Sequence, residues 1–388
     1  MNINLNSKIN IITGDNGSGK STILSEIAIQ EYKNGNNVIC ISNTPLHKFK
    51  RNTTSRYHVL KQTSRALDDS LKKIILDTHY SNKNNKRTNI FVNVLEYLNF
   101  DNIISFEVSI VPYESLFRKL ESEVYKDKTN ESEIHEIIAY LKNRVKIEED
   151  DTHVFSNFRD KSVKLELEYY FGSKWDTSIL KAPIQLILKY EKILRKCKLV
   201  SSIKISLIRI NDYIPTSQVS SGEASYLSTL AFILSNLDER DIIVVDEPEN
   251  SLHPRWQKKY TSNIFDILEY LNAKLVLATH SPMIVIGAVE ESNSLNLMKA
   301  KNNEITYVNS NETNIDEVMV DVFGVLTSRS RFFSYKINEI LTNFNEKYLS
   351  FEDSRIELDR LVRLGPDTNQ KNIILAASNI LEEMNKDG

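Results

Sequence analysis

Residues 9–22 read INIITGDNGSGKST. Ile9 to Thr13 is an apolar run of strand length, and residues 23–32, ILSEIAIQEY, carry a helical pattern. Between them stands G-x-x-x-x-G-K-[ST], in the strand-then-helix setting that a phosphate-binding loop needs. Glycine lets the backbone fold tightly and approach an anion with no Cβ in the way. The N–H groups of Asn16, Gly17, Ser18 and Gly19, with the helix N-terminus behind them, would then point at phosphate oxygens. Lys20 would reach the β- and γ-phosphates, the Ser21 hydroxyl would hold Mg²⁺, and Thr22 completes the motif. A chance glycine-rich turn is the competing reading. The chain has only 10 glycines in 388 residues, and Gly14, Gly17 and Gly19 are three of them, which favours the nucleotide.

Working outward, residues 37–42, NVICIS, read as a buried parallel strand. Strand, loop, helix and strand make a βαβ unit, so the chain begins as an α/β fold. The same chemistry returns far downstream. Val219-Ser220-Ser221-Gly222-Glu223 precedes an apolar helix. Ile242 to Val245 is a strand that runs into Asp246-Glu247-Pro248, and Lys274 to Ala278 is another that runs into Thr279-His280-Ser281-Pro282. Ligands of open α/β sheets bind at the carboxyl ends of strands. Asp246 there suits a magnesium shell. Glu247 would orient or deprotonate an attacking water. His280 would hydrogen-bond the terminal phosphate.

The intervening chain is less legible. A helical patch lies near Leu67 to Leu76, Asn82 to Arg87 reads as an exposed loop, and Val92 to Leu98 as a helix. Ile134, Ile137, Ile138, Leu141 and Val145 fall on one helical face. Glu148 to Asp151 is a solvated acidic run. Val163 to Tyr169 alternates as a half-buried strand, Ile184 to Leu194 reads as one amphipathic helix, and Ile203 to Ile214 as a hairpin. Ile305 to Val308 is an edge strand, Met1 to Leu5 a further strand beside the first, and the chain is helical from Asn314, with Pro366 opening the last helix. The expected division is residues 1–60 and 201–312 as two parts of one nucleotide-binding lobe, 61–200 as a mainly helical insertion with some strand, and 313–388 as a helical tail.

Composition narrows the class. A formal charge of -3 does not advertise a polyanion binder, and a surface explains clusters such as Lys48, Lys50 and Arg51 as well as a nucleic-acid track does. Two distant cysteines, Cys40 and Cys197, fit a reducing cytoplasm. No apolar stretch reaches about 18 residues, so neither a leader nor a membrane span is expected.

Taken together, GDNGSGKST, VSSGEAS, IIVVDEPENSLHP and VLATHSP resemble the Walker A, signature, Walker B with D-loop, and switch motifs of ABC-type ATPases. They are most similar to the soluble RecF-, SMC- and OLD-like branch, and within it to the ATPase subunits of Septu-type and retron-associated antiphage systems. The resemblance covers residues 1–42 and 200–290. It implies a P-loop NTPase with an ABC-ATPase-like head, ATP and Mg²⁺ as cofactors, and a head-to-tail homodimer. In that dimer Ser220, Ser221, Gly222 and Glu223 would face the nucleotide held by the partner's loop, and the D-loop, Glu249 to His253, would cross between the sites. It further implies a separately encoded effector, a nuclease or toxin, and no membrane partner. Two departures stand out. The signature reads V-S-S-G-E, and no glutamine loop for sensing Mg²⁺ is evident; Gln62 is one candidate and Asn43 the other. The alternatives are a RecF- or SMC-like clamp that binds nucleic acid directly, an OLD-type nuclease with a metal domain near the C-terminus, and an ATP-binding scaffold that does not hydrolyse.

Overall fold

The computed structural model describes residues 5, 7–44, 48–50, 54–60, 63–80, 84–127, 131–145, 162–171, 183–237, 241–250, 252–271, 273–291, 295–308, 332–363 and 368–387. Gln62, the acidic run, Met1 to Asn4 and Pro366 lie outside the described residues.

Two sheets organise the chain. The larger has seven strands: β1 (Ile9–Thr13), β2 (Val38–Ser42), β3 (Tyr57–Leu60), β8 (Ile242–Asp246), β9 (Lys274–Thr279), β10 (Leu295–Lys301) and β11 (Glu304–Val308). Their order is β11-β10-β1-β9-β8-β2-β3, and every pairing is parallel except that of β10 with β11. Alternate residues of these strands feed two different cores. Ile9, Ile11, Ile39, Ile41, Ile243, Val245, Leu275 and Leu277 point to one face, and Ile12, Val38, Cys40, Ile242, Val244, Val276 and Ala278 to the other. Burial on both faces is why the strands read as unbroken apolar runs. Helix α1 (Lys20–Lys33) covers the second face through Ile23, Leu24 and Ile27. Helices α2 (Ala66–Tyr80), α8 (Ser221–Asn236), α9 (Pro254–Leu271) and α10 (Pro282–Glu291) supply the first. Gly287 lets α10 close on α9: a Cβ there would stand 2.2 Å from the Lys258 carbonyl oxygen.

The smaller sheet is antiparallel throughout, in the order β5-β4-β6-β7, from β4 (Ile103–Ile110), β5 (Val163–Tyr170), β6 (Val200–Arg209) and β7 (Asp212–Pro215). Its inward side chains, Ile104, Phe106, Val108, Leu165 and Leu207 among them, join the first core. The sheet therefore draws strands both from the expected insertion and from the expected second lobe.

Three expectations change. Asn84 to Arg87 are not loop but the first turn of α3 (Asn84–Tyr97). Arg87 donates to the carbonyls of Leu234 and Leu237 at the end of α8, where a cation offsets the unpaired carbonyls of a helix terminus. Ile184 to Leu194 is broken into α6 (Pro183–Lys189) and α7 (Glu191–Lys196). At the break, the hydroxyl of buried Tyr190 donates to the Glu133 carboxylate at 2.6 Å, on α5 (Glu131–Arg144). Strands β3, β4 and β10 and helix α4 (Glu114–Asp127) have no counterpart in the sequence reading. Beyond the large sheet, α11 (Phe332–Asn345), α12 (Phe351–Arg363) and α13 (Thr368–Asp387) pack around a core of their own that includes Ile337, Ile340, Leu358 and Leu381.

Candidate functional site

The sheet order brings the chemistry-bearing strand ends to one edge. Strand β9 lies between β1 and β8, with Thr13 level with Thr279 and Asp246 level with Ala278. The loop after β1, the carboxylates after β8 and the histidine after β9 therefore leave the sheet side by side.

The loop after β1 is built by backbone that only glycine accepts easily. Gly14 has φ 147° and its Cβ would meet the Ala300 carbonyl oxygen at 2.6 Å. Gly19 has φ 100° and serves as the left-handed N-cap of α1, with no side chain capping the helix. The first amides of α1 are thus left for an external acceptor. Lys20 is only 4% exposed, and its Nζ donates to the Gly14 oxygen at 2.8 Å and the Asp15 oxygen at 3.0 Å. Its ammonium is folded back across the loop, while Asp15, Asn16 and Gly17 form the exposed rim.

Asp246 closes the site from the β8 side. It is 2% exposed, and its Oδ1 has no hydrogen-bond partner. Burial pushes its carboxyl up to about 6; a hydrogen bond with Ser21 and the nearby Lys20 oppose this, and Glu247 and Glu249 add to it. The Ser18 hydroxyl is likewise buried and unpartnered. A buried carboxylate oxygen with a bond to spare, beside a serine hydroxyl, is a hard-oxygen donor set that fits Mg²⁺. The uncapped helix terminus, Lys20 and the unpartnered Ser18 fit the phosphates.

Glu247 follows in a left-handed conformation, φ 49°, which is rare for a residue with a side chain and is held only where surroundings enforce it. Its N–H donates to the Ala278 oxygen at 2.9 Å and its Oε2 accepts from Asn250 at 3.0 Å. Asn43, at the end of β2, donates through its side chain to the Pro248 oxygen at 3.0 Å, so this candidate stands at the same edge. Gln62, the other metal candidate, lies outside the described residues.

The signature residues are together, but two are engaged. Ser220 is the N-cap of α8, its hydroxyl accepts from the Glu223 N–H at 3.3 Å, and Glu223 Oε2 accepts from Ser220 in return. This is a capping box. Glu223 Oε1 also accepts from Arg209 at 2.5 Å. Ser221 and Gly222 occupy the first turn of the helix.

Three contacts at the site escape sequence reading, the third made by Glu249 of the D-loop segment. Asn303, in the β10–β11 turn, donates its N–H to the Ser18 oxygen at 3.0 Å and sets its side chain against Gly19. Lys48, read as a surface cation, donates to the Thr22 hydroxyl at 2.6 Å. Glu249 is buried and holds His280. The first two contacts join distant segments, and no local pattern signals them.

A family model described as "AAA domain, putative AbiEii toxin, Type IV TA system" matches residues 46–286, more than half of the chain. Protein ea59 of Escherichia phage lambda is 30% identical over 107 residues, 26% of this chain and 20% of that protein. A "Putative ABC transporter ATP-binding protein" of Caldanaerobacter subterraneus is 33% identical over 125 residues, 32% of this chain and 46% of that protein. The chain thus spans less than half the length of either relative. A crystal structure of a nucleotide-free ATP-binding cassette from an ABC transporter aligns with 12% identity and a TM-score of 0.31, covering 83% of this chain and 87% of that one. Among the described residues no helix is long and apolar enough to cross a membrane.

Proposed function

The chain belongs to the AAA-domain family described as putative AbiEii toxin, type IV TA system, and from that membership we propose that it hydrolyses ATP with Mg²⁺ as a dimer switch that controls a separate effector. It carries a P-loop ATPase domain of α/β fold. The observation that carries the reading is the buried Asp246 carboxylate, which bonds Ser21 and keeps its Oδ1 unpartnered, at the sheet edge that also presents Glu247 and His280.

The division of labour follows from that edge. The loop amides, Lys20 and Thr22 bind and orient the phosphates. Ser21 and Asp246 would hold magnesium, which supplies positive charge against the phosphate oxygens. Glu247 takes the proton of the attacking water, and His280 hydrogen-bonds the oxygen where negative charge grows. The amides at Ser221 and Gly222 complete the site of a second copy placed head to tail. The resemblance of the four motifs to those of antiphage ATPases favours a separately encoded nuclease or toxin as effector, told of the nucleotide state through the regions outside the large sheet.

Glu247→Gln keeps the side-chain shape and removes the base. Turnover should fall roughly 100- to 10,000-fold while ATP still binds, and native mass spectrometry should show an ATP-loaded dimer. Unchanged turnover rejects Glu247 as the base. A monomer at saturating Mg-ATP rejects the switch. Native mass of the chain expressed with the product of its neighbouring gene tests the effector, and a larger complex that responds to Mg-ATP is expected.

A further inference from the structure

Glu249 is a buried carboxylate that neither nucleotide binding nor water activation uses. It lies in the loop after β8, and its side chain is 4% exposed. Oε1 accepts the His280 backbone N–H at 2.7 Å and lies 3.0 Å from Nδ1 of the same residue. One Glu249 oxygen thus meets His280 at two places: it accepts the backbone N–H, and the ring nitrogen Nδ1 stands 3.0 Å from it. The other edge of the ring is open, since the His280 side chain is 44% exposed. The grip is braced from behind: the Ser281 hydroxyl donates to Gln257 Oε1 at 2.6 Å, and Gln257 Nε2 donates to the Leu252 oxygen at 2.9 Å.

Two consequences follow. Glu249 Oε1 already acts as an acceptor towards the backbone N–H, so the ring nitrogen that faces the same oxygen is the one that carries a proton. Nδ1 is then the donor to Glu249, and Nε2 is the nitrogen left on the open edge. The backbone bond also ties the segment after β9 to the loop after β8, which fixes the point from which the ring projects and keeps Nδ1 beside the same buried acceptor. We propose that Glu249 is a positioning residue that fixes the tautomer and orientation of His280, presenting Nε2 to the nucleotide. This rests on the reading of His280 as a phosphate contact, and the test separates the two.

The test has a spectroscopic and a kinetic arm. In protein labelled with ¹⁵N-histidine, with the His280 signals assigned by their loss in His280→Gln, the ring should show the Nδ1–H form. Glu249→Ala should give an averaged pair of tautomers. Glu249→Gln keeps an acceptor oxygen and should restore the Nδ1–H form, and it guards against misfolding of the alanine variant. Kinetically, Glu249→Ala should lower kcat about 10- to 100-fold with KM for ATP little changed, as loss of an orienting partner does. Glu249→Gln should recover most of that loss, and Glu249→Ala combined with His280→Gln should be no slower than His280→Gln alone. A His280 ring in the Nε2–H form, a tautomer indifferent to Glu249→Ala, or losses that multiply in the double variant overturn the proposal. Wild-type turnover in His280→Gln with the tautomer results as expected would instead remove His280 from its role and leave Glu249 as its orienting partner.

Discussion

The two sheets use similar strands to opposite ends. Strand β8 is buried at all five positions and finishes in Asp246. Strand β4 alternates, sending Ile104, Phe106, Val108 and Ile110 inward and Glu107 outward. In the parallel sheet both faces are covered by helices, so function has nowhere to sit except the strand ends. In the antiparallel sheet one face is open, and it carries an ion ladder in which Glu107 meets Lys164 and Lys204 at 3.0 Å each. The difference teaches where damage should matter. Changes at the ends of the large sheet should alter chemistry, and changes on the open face of the small sheet should alter only stability. The loss of turnover expected for Glu247→Gln is the largest effect on the first side of that contrast.

Asp246→Asn sharpens it, because activity and stability should move in opposite directions. Burial holds the Asp246 carboxyl at about 6, above the usual carboxylate range. The folded state therefore binds a proton more readily than the unfolded chain. Ionising Asp246 costs stability above pH 6, and that cost fades as the pH falls from 6 towards about 4. In metal-free protein at pH 7, Asp246→Asn removes a penalty of up to about 3 kcal/mol, so its Tm should rise while Mg-dependent ATP binding is lost. The Tm advantage should shrink on acidification. A fall in Tm at pH 7 would show that the carboxylate is stabilising as it stands.

Much of the large sheet was legible for the same physical reason that makes it rigid. Strands β1, β2, β8 and β9 bury both faces, so INIIT, VICIS, IIVVD and KLVLAT appear as uninterrupted apolar runs, and the polar residues that follow mark the strand ends. Strand β4 carried its signal, IISFEVSI with alternation from Ile104 to Ile110, yet it sits among helices and passed unread. Strand β3, YHVL, is too short to announce itself. Arg87 is polar because its task is at another helix's end, where it donates to the last carbonyls of α8. Asn303 supports Ser18 across almost the whole chain. Side chains that serve a neighbour distant in sequence leave no periodicity of their own.

Gly287→Ala probes the large sheet away from its chemistry. Alanine is the better helix former by about 1 kcal/mol, yet its Cβ would fall 2.2 Å from the Lys258 oxygen and 2.7 Å from Thr261 Oγ1. Helices α9 and α10 must then part, at a net cost of about 1–3 kcal/mol in thermal or urea unfolding. Helix α10 begins just after His280, so kcat should also fall. An undiminished Tm would mean that the two helices have slack.

The smallest effect belongs to the open face. Hydrogen bonds from Lys204 and then Lys164 hold the Glu107 carboxyl below its ordinary range. A carboxyl depressed on folding stabilises the protein above its unfolded value and loses that contribution as the pH falls through the folded one. The partner lysines are 61% and 67% exposed, so water and salt screen the pair. Glu107→Ala should therefore cost less than about 1 kcal/mol at neutral pH, and the difference should shrink in high salt and below pH 4. ATP turnover should not change. If it did, the small sheet would be coupled to the strand ends of the large one, and the separation of chemistry from surface ladder would fail at the residue where it is most exposed.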